Sequence, residues 1–112
     1  MEIISLTSEN FESEVLQAET PVLVEFWAPW CIYCKRLAPV IGRLGELEDF
    51  IPIKTVNVDE QPELEERYDV RVIPTLMVFK NGEPGERLIA PLSQHQLETF
   101  VTDQLKEQTE EL

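Results

Sequence analysis

The stretch VLVEFWAPWCIYC, residues 22–34, decides the fold. Its first six residues are apolar except for Glu25, which is the pattern of a strand buried in the middle of a sheet. After Cys34 the apolar residues recur at helical spacing, at Leu37, Val40, Ile41, Leu44 and Leu47. A buried strand that leads into a helix predicts an α/β protein with two cysteines at the helix start.

Outward from this stretch, the chain alternates between strand and helix signals. We expect a first helix from Thr7 or Ser8 to about Glu19 and a later hairpin at Asn81-Gly82, followed by a short strand near Leu88–Ala90. A final helix opens with Ser93 and Gln96 at capping-box spacing. The complete order β-α-β-α-β-α-β-β-α predicts a mixed sheet covered on both faces.

Length and charge exclude several classes of function. The 112 residues suffice for one domain, which we place at residues 1–106, with an acidic tail at 107–112. A net charge of −13 repels phosphate backbones and anionic lipid, so we expect no nucleic acid and no membrane partner. The amino terminus lacks the basic and apolar regions of a signal peptide, which predicts a cytoplasmic protein.

Cys31 and Cys34 are the only cysteines, and they form a Cys-x-x-Cys motif. Their spacing places two sulfurs one helical turn apart, within reach of a disulfide. Because the amino terminus of a helix stabilises a thiolate, Cys31 is predicted to be the nucleophile of low pKa. Cys34 lies one turn inside the helix, where it can resolve a mixed disulfide by attacking Cys31.

Other interpretations of the pair remain open at this stage. A structural zinc site needs four ligands, and His95 is the only additional nitrogen or sulfur ligand in the chain, although a dimer could share two pairs around one metal. A structural disulfide across one helical turn would constrain little of the unfolded chain. Redox chemistry is therefore the favoured interpretation, without any bound metal or cofactor.

Several motifs around the cysteines resemble the thioredoxin family. The matching segments lie in the family's order and extend the similarity from about Ser5 to Leu105: Phe26–Cys31, Cys34-Lys35, Ala38-Pro39, Val58-Asp59, Ile73-Pro74-Thr75 and Phe79–Gly82. The resemblance implies a five-stranded mixed sheet flanked by four helices. It also implies a monomeric thiol–disulfide oxidoreductase that reduces protein disulfides and is recharged by a thioredoxin-reductase-type electron donor.

The resemblance assigns roles to residues around the pair. It implies an exposed Cys31 and a cis Pro74 that faces the cysteines, with Trp30, Ile73 and Pro74 binding the substrate. Glu25 stands where the family usually has Asp. Independently of the family, an acid inside an apolar strand has its pKa raised by burial and can exchange a proton with Cys34 through water, unless it tilts toward solvent.

The sequence departs from the family pattern at three places. Ile32-Tyr33 replaces the usual Gly-Pro, which predicts a reduction potential between about −270 and about −180 mV. Thr55 replaces a Lys near the acid, with Lys54 on the opposite strand face, and Ala90-Pro91 replaces a turn with glycine. The alternatives are a glutaredoxin-like or isomerase-like oxidoreductase, or a binding module whose cysteines do not turn over.

Overall fold

The computed structural model describes residues 3–110, with side chains up to residue 106. The strands are β1 (Ile4–Ser5), β2 (Val22–Trp27), β3 (Ile53–Asn57), β4 (Thr75–Lys80) and β5 (Glu83–Ile89). A π-helical segment (Glu12–Leu16) precedes β2, and the helices are α1 (Ile32–Gly45), α2 (Pro62–Arg67) and α3 (Gln94–Glu110). The predicted order of strands and helices is confirmed.

The sheet is mixed and has β2 at its centre. The strand order is β1-β3-β2-β4-β5, with β2 parallel to β3 and antiparallel to β4. Residues Val22–Phe26 of β2 are all buried, which explains why this strand is almost continuously apolar.

Alternate residues of β2 supply two separate cores, one on each face of the sheet. Val22, Val24 and Phe26 belong to the core that includes residues of the π-helical segment and α2. Leu23 lies in the other core, with residues of α1 and α3. Glu25 has the same parity as Leu23, so its side chain is directed to the α1 face.

Two predicted boundaries are wrong. The first helix is π-helical and ends at Leu16 instead of about Glu19, and the backbone of Gln17, its C-cap, is already non-helical, with φ −101° and ψ 6°. Strand β5 begins at Glu83, directly after the hairpin, although Pro84 and Gly85 are poor strand formers. An edge strand tolerates them since only one side must pair.

The hairpin and the last helix begin as predicted. Asn81 and Gly82 both have positive φ, at 53° and 80°. A Cβ on Gly82 would lie 2.9 Å from the Leu16 carbonyl oxygen, so both the turn and the packing require glycine. At the start of α3 the Ser93 hydroxyl accepts a hydrogen bond from the Gln96 amide at 3.1 Å.

The structure bears only in part on the predicted acidic tail and on the expectation of no membrane partner. Helix α3 continues to Glu110, and residues 111–112 of the predicted tail lie outside the described residues. The boundary between residues 106 and 107 therefore stays a prediction. None of the helices within residues 3–110 is long and apolar enough to cross a membrane.

Candidate active site

Cys31 is the N-cap residue of α1. Its backbone is extended, with φ −82° and ψ 114°, and its Sγ accepts a hydrogen bond from the Cys34 amide at 3.2 Å. Capping groups at this position satisfy amides that have no partner within the helix. The amide dipoles thus favour negative charge on the sulfur of Cys31.

The loop before β4 closes over this sulfur from the other side. The Cys31 thiol donates to the Ile73 carbonyl oxygen at 3.7 Å, and the Ile73–Pro74 peptide bond is cis. The sheet therefore brings together Cys31, Ile73 and Pro74, which the sequence separates by about forty residues.

The expectation of an exposed Cys31 is wrong for the residue as a whole. Cys31 exposes 5% of its surface and belongs to the core cluster that Ile73 packs against. Its sulfur turns inward because both of its hydrogen-bond partners, the Cys34 amide and the Ile73 carbonyl, lie on the protein side. Only a small part of Cys31 is therefore accessible to a substrate sulfur.

Cys34 lies one turn further along α1 and is buried, at 4% exposure. Burial, followed by the hydrogen bond with Cys31, raises the pKa of the Cys34 thiol to about 12. The negative charge of Glu25 acts in the same direction. Cys34 thus holds its proton at neutral pH, and any reaction that uses its thiolate needs a nearby proton acceptor.

Glu25 is buried, with 5% of its surface exposed, so the expectation of a buried acid is confirmed. Burial raises the pKa of its carboxyl from 4.5 to about 7. Its partners in register are Thr55 on β3 and Leu76 on β4, neither of which carries a charge.

Glu25 and Cys34 both line a partly open cavity of about 240 Å³. Its wall also includes Thr55 from β3, and the other lining residues are Ile3, Trp27, Ala38, Ile41 and Gly42. Since a water molecule occupies about 30 Å³ in the liquid, the cavity that both residues line has room for several waters.

Trp30 precedes the nucleophile and is 66% exposed. Its indole Nε1 donates to both carboxylate oxygens of Asp59, at 3.0 and 3.2 Å. Asp59 follows the end of β3, and its contact with Trp30 was not predicted from the sequence. The sequence did contain a signal for this contact, since β2 and β3 are parallel and end at the same edge of the sheet. A carboxylate just after β3 therefore lies near the residues that follow β2.

The dipeptide between the cysteines faces solvent. Ile32 is 58% exposed and Tyr33 is 51% exposed, and Val72 on the facing loop is 51% exposed. His95, the one further nitrogen ligand considered for a zinc site, is also exposed. No group of three or more His, Cys, Asp or Glu residues within the described part of the chain could hold a metal ion.

This arrangement defines a class of protein. A Cys-x-x-Cys pair at the start of a helix, beneath a proline loop on a mixed sheet, belongs to proteins that exchange thiols and disulfides.

Comparison with known proteins identifies the family. A sequence profile described as Thioredoxin matches residues 2–103, and the chain therefore belongs to the thioredoxin family. A thioredoxin of Rickettsia bellii is 46% identical over 80 residues, which cover 70% of this chain and 76% of that protein. A thioredoxin of Porphyra purpurea is 38% identical over 100 residues, covering 88% and 94%.

A plastid relative is similar at the same level. The chloroplastic thioredoxin M5 of Oryza sativa is 43% identical over 101 residues, which cover 89% of this chain and 59% of that protein. Membership of the family confirms the predicted fold and the predicted activity, a thiol–disulfide oxidoreductase acting on protein disulfides. The glutaredoxin-like, isomerase-like and non-turnover alternatives are not favoured.

Proposed function

We propose that Cys31 is the nucleophile and Cys34 the resolving cysteine of this oxidoreductase. The observation that carries the proposal is the N-cap position of Cys31, whose Sγ accepts the Cys34 amide at 3.2 Å. The Cys31 thiolate attacks one sulfur of a substrate disulfide, and the other substrate sulfur leaves as a thiolate that takes up a proton. A mixed disulfide then joins Cys31 to the substrate.

Cys34 completes the reaction. It loses its proton and attacks the Sγ of Cys31, which forms the Cys31–Cys34 disulfide and releases the second substrate sulfur. That sulfur is protonated in turn. The substrate gains two electrons and two protons, and the protein passes from dithiol to disulfide.

Glu25 serves as the proton acceptor for Cys34. Three observations support this role: both groups line one cavity, the pKa of Cys34 is raised to about 12, and the pKa of Glu25 is about 7. A carboxyl with that pKa is partly ionised at neutral pH, so it can take a proton and return it in the same cycle.

Trp30, Ile73 and Pro74 form the surface that binds the substrate chain. The Ile73 carbonyl lies 3.7 Å from the Cys31 Sγ, so a substrate strand beside residue 73 brings its sulfur close to the nucleophile. Trp30 supplies an exposed aromatic face that is held in place by Asp59.

The protein disulfide then needs a reductant. A thioredoxin-reductase-type donor returns two electrons, so that the chain acts as an electron carrier, as a monomer and in the cytoplasm. A reducing compartment suits a lone exchangeable pair, and a net charge of −13 opposes self-association.

The test is to trap the mixed disulfide. Cys34→Ser is expected to accumulate a covalent complex with disulfide-bonded insulin, because Cys31 attacks the disulfide and no second cysteine resolves the mixed disulfide. Cys31→Ser is expected to form no such complex. Non-reducing electrophoresis and intact mass spectrometry measure both, and a complex formed by Cys31→Ser but not by Cys34→Ser would reverse the assignment.

A further inference from the structure

Beside the active site lies a surface that carries no acid. The chain contains 22 Asp and Glu in 112 residues, yet residues 32–45 and 88–97 contain neither. Helix α1 instead carries Lys35, Arg36 and Arg43, all exposed. The surface of this acidic protein is thus interrupted by a basic region beside Cys31 and Cys34.

These two segments enclose a small cleft, which we call the Tyr33–Leu92 cleft. Its lining residues are Tyr33, Arg36, Leu37, Val40, Pro91 and Leu92, and its volume is about 60 Å³. That volume suits the end of one aliphatic side chain, about two waters in size. Leu92 is 85% exposed, the largest exposure among the large apolar residues of the described chain.

A cation stands at the edge of the cleft and is free to bind. The Arg36 guanidinium lies 5.7 Å from the centre of the Tyr33 ring. Within residues 3–106 the ion pairs are Lys54–Glu14 and Arg71–Asp69, so Arg36 has no carboxylate partner there. Arg43 is held by the Gln94 side chain at 3.0 Å, which leaves Arg36 as the available guanidinium of the cleft.

We propose that the Tyr33–Leu92 cleft binds the flank of a disulfide-bearing polypeptide in which an apolar side chain is followed by a carboxylate. The apolar side chain enters between Tyr33 and Leu92, and the carboxylate pairs with Arg36. The proposal rests on the proposed function, because it places this flank next to the disulfide that Cys31 attacks.

Charge complementarity selects this occupant. The Debye length is about 8 Å at physiological ionic strength, so a docking segment senses Lys35 and Arg36 more than the distant acids. Outside residues 32–45 and 88–97 the chain has 22 Asp and Glu against six Lys and Arg, so a carboxylate there meets mostly like charge, whereas at the cleft it meets a guanidinium suited to bidentate pairing. Acidic flanks are therefore drawn to the productive site and repelled from the rest of the surface.

The experiment compares three synthetic disulfide-bridged peptides that differ after one cysteine: Leu-Glu, Leu-Lys and Gly-Glu. Stopped-flow fluorescence of the reduced protein gives the second-order rate constant for each. The wild-type protein is expected to reduce the Leu-Glu peptide about fivefold faster than either of the others. Raising the salt from about 0.01 M to about 1 M shortens the Debye length from about 30 Å to about 3 Å and should remove the Glu-over-Lys preference.

Three variants test separately the guanidinium of the cleft, its apolar side chain and the net charge of the protein. Arg36→Glu is expected to invert the preference between the Glu and Lys peptides, and Leu92→Ser to remove the preference for Leu over Gly. Lys106→Glu makes the same charge change at an exposed site on α3 and should leave both preferences intact. Circular dichroism checks that each variant is folded.

The neutral disulfide 2,2′-dithiodipyridine distinguishes the possible failures. If it is reduced but the wild-type protein treats the three peptides alike, or if Arg36→Glu and Lys106→Glu change the rates equally, the cleft proposal is overturned. If it is not reduced either, the proposed function itself fails. If sedimentation shows a wild-type dimer that Arg36→Glu dissociates, the cleft binds a second copy and the proposal is wrong.

Discussion

Two glutamates on opposite faces of the sheet have opposite surroundings. Glu14, on the π-helical segment, pairs with Lys54, whose Nζ lies 3.1 Å from its carboxylate and also donates to its carbonyl. Glu25, on β2, faces Thr55 across the register, and neither ion pair within residues 3–106 includes it. Lys54 and Thr55 are consecutive residues of β3, so the alternation of one strand decides which acid receives the ammonium group.

The two acids differ both in burial and in pairing: the Glu14 side chain is 35% exposed and contacts Lys54, whereas Glu25 is 5% exposed. With a cation in contact, a carboxylate anchors a helical segment to the sheet. Without one, burial raises the pKa of Glu25 to about 7, where the group can gain and lose a proton under physiological conditions. The following three predictions test this difference.

The largest expected effect is on stability. Between pH 4.5 and about 7 the folded protein keeps the proton on Glu25, whereas the unfolded chain has released it. The stability that this proton contributes is fully present below pH 4.5 and is lost as the pH rises through about 7. The free energy of unfolding falls by about 3 kcal/mol over this range. Urea unfolding of the reduced protein from about pH 4.5 to about pH 8.5 measures it.

The matched variants are Glu25→Gln and Glu14→Gln. We expect Glu25→Gln to remove this fall in the free energy of unfolding, whereas Glu14→Gln should retain it. Parallel pH curves for the wild type and Glu25→Gln would show that Glu25 is not the group whose pKa burial raises.

The second effect concerns the proton that Cys34 must lose. Thr55→Lys places an ammonium group opposite Glu25, which should lower the pKa of its carboxyl by about 1–3 units. The rate of the resolving step, followed by quenched-flow mass spectrometry, should then reach half of its plateau at a correspondingly lower pH.

Two controls accompany this measurement. Thr55→Met fills a similar volume without charge and should not move the midpoint of the rate profile to lower pH. Glu25→Gln should remove the pH dependence of the resolving rate near pH 7. An unchanged profile in Glu25→Gln would exclude Glu25 as the proton acceptor.

The smallest effect belongs to the paired glutamate. Lys54→Met leaves the Glu14 carboxylate and carbonyl without their shared donor, so we expect a loss of about 1 kcal/mol in the free energy of unfolding. The pH dependence due to Glu25 should remain. Lys106→Met, at an exposed site, serves as the control, and an equal loss there would mean that the ion pair contributes nothing specific.

The sequence was sufficient for features that depend on local pattern. The apolar run of β2, the helical spacing after Cys34 and the Asn81-Gly82 turn each follow from side-chain periodicity or backbone preference. Family resemblance added the cis Pro74, which the sequence pattern alone would describe as a proline at the start of a strand.

Features that depend on how distant segments meet could not be predicted from the sequence. The inward turn of the Cys31 sulfur requires the Ile73 carbonyl, and the Asp59–Trp30 hydrogen bond requires the register of β2 and β3. Gln104 is another example, because it looks like a surface residue of α3 yet is 1% exposed. Its amide group accepts from the Glu86 amide and donates to the Glu86 carboxylate on β5.

The N-cap position of Cys31 makes the first turn of α1 a sensor of oxidation state. A sulfur that is covalently bound to a substrate or to Cys34 carries no negative charge and accepts the Cys34 amide less well. An N-cap is worth about 1 kcal/mol, which for a two-electron couple equals about 20 mV in favour of the dithiol. Amide hydrogen exchange at Cys34, measured in deuterated water, should therefore accelerate on oxidation and distinguish the dithiol from the disulfide.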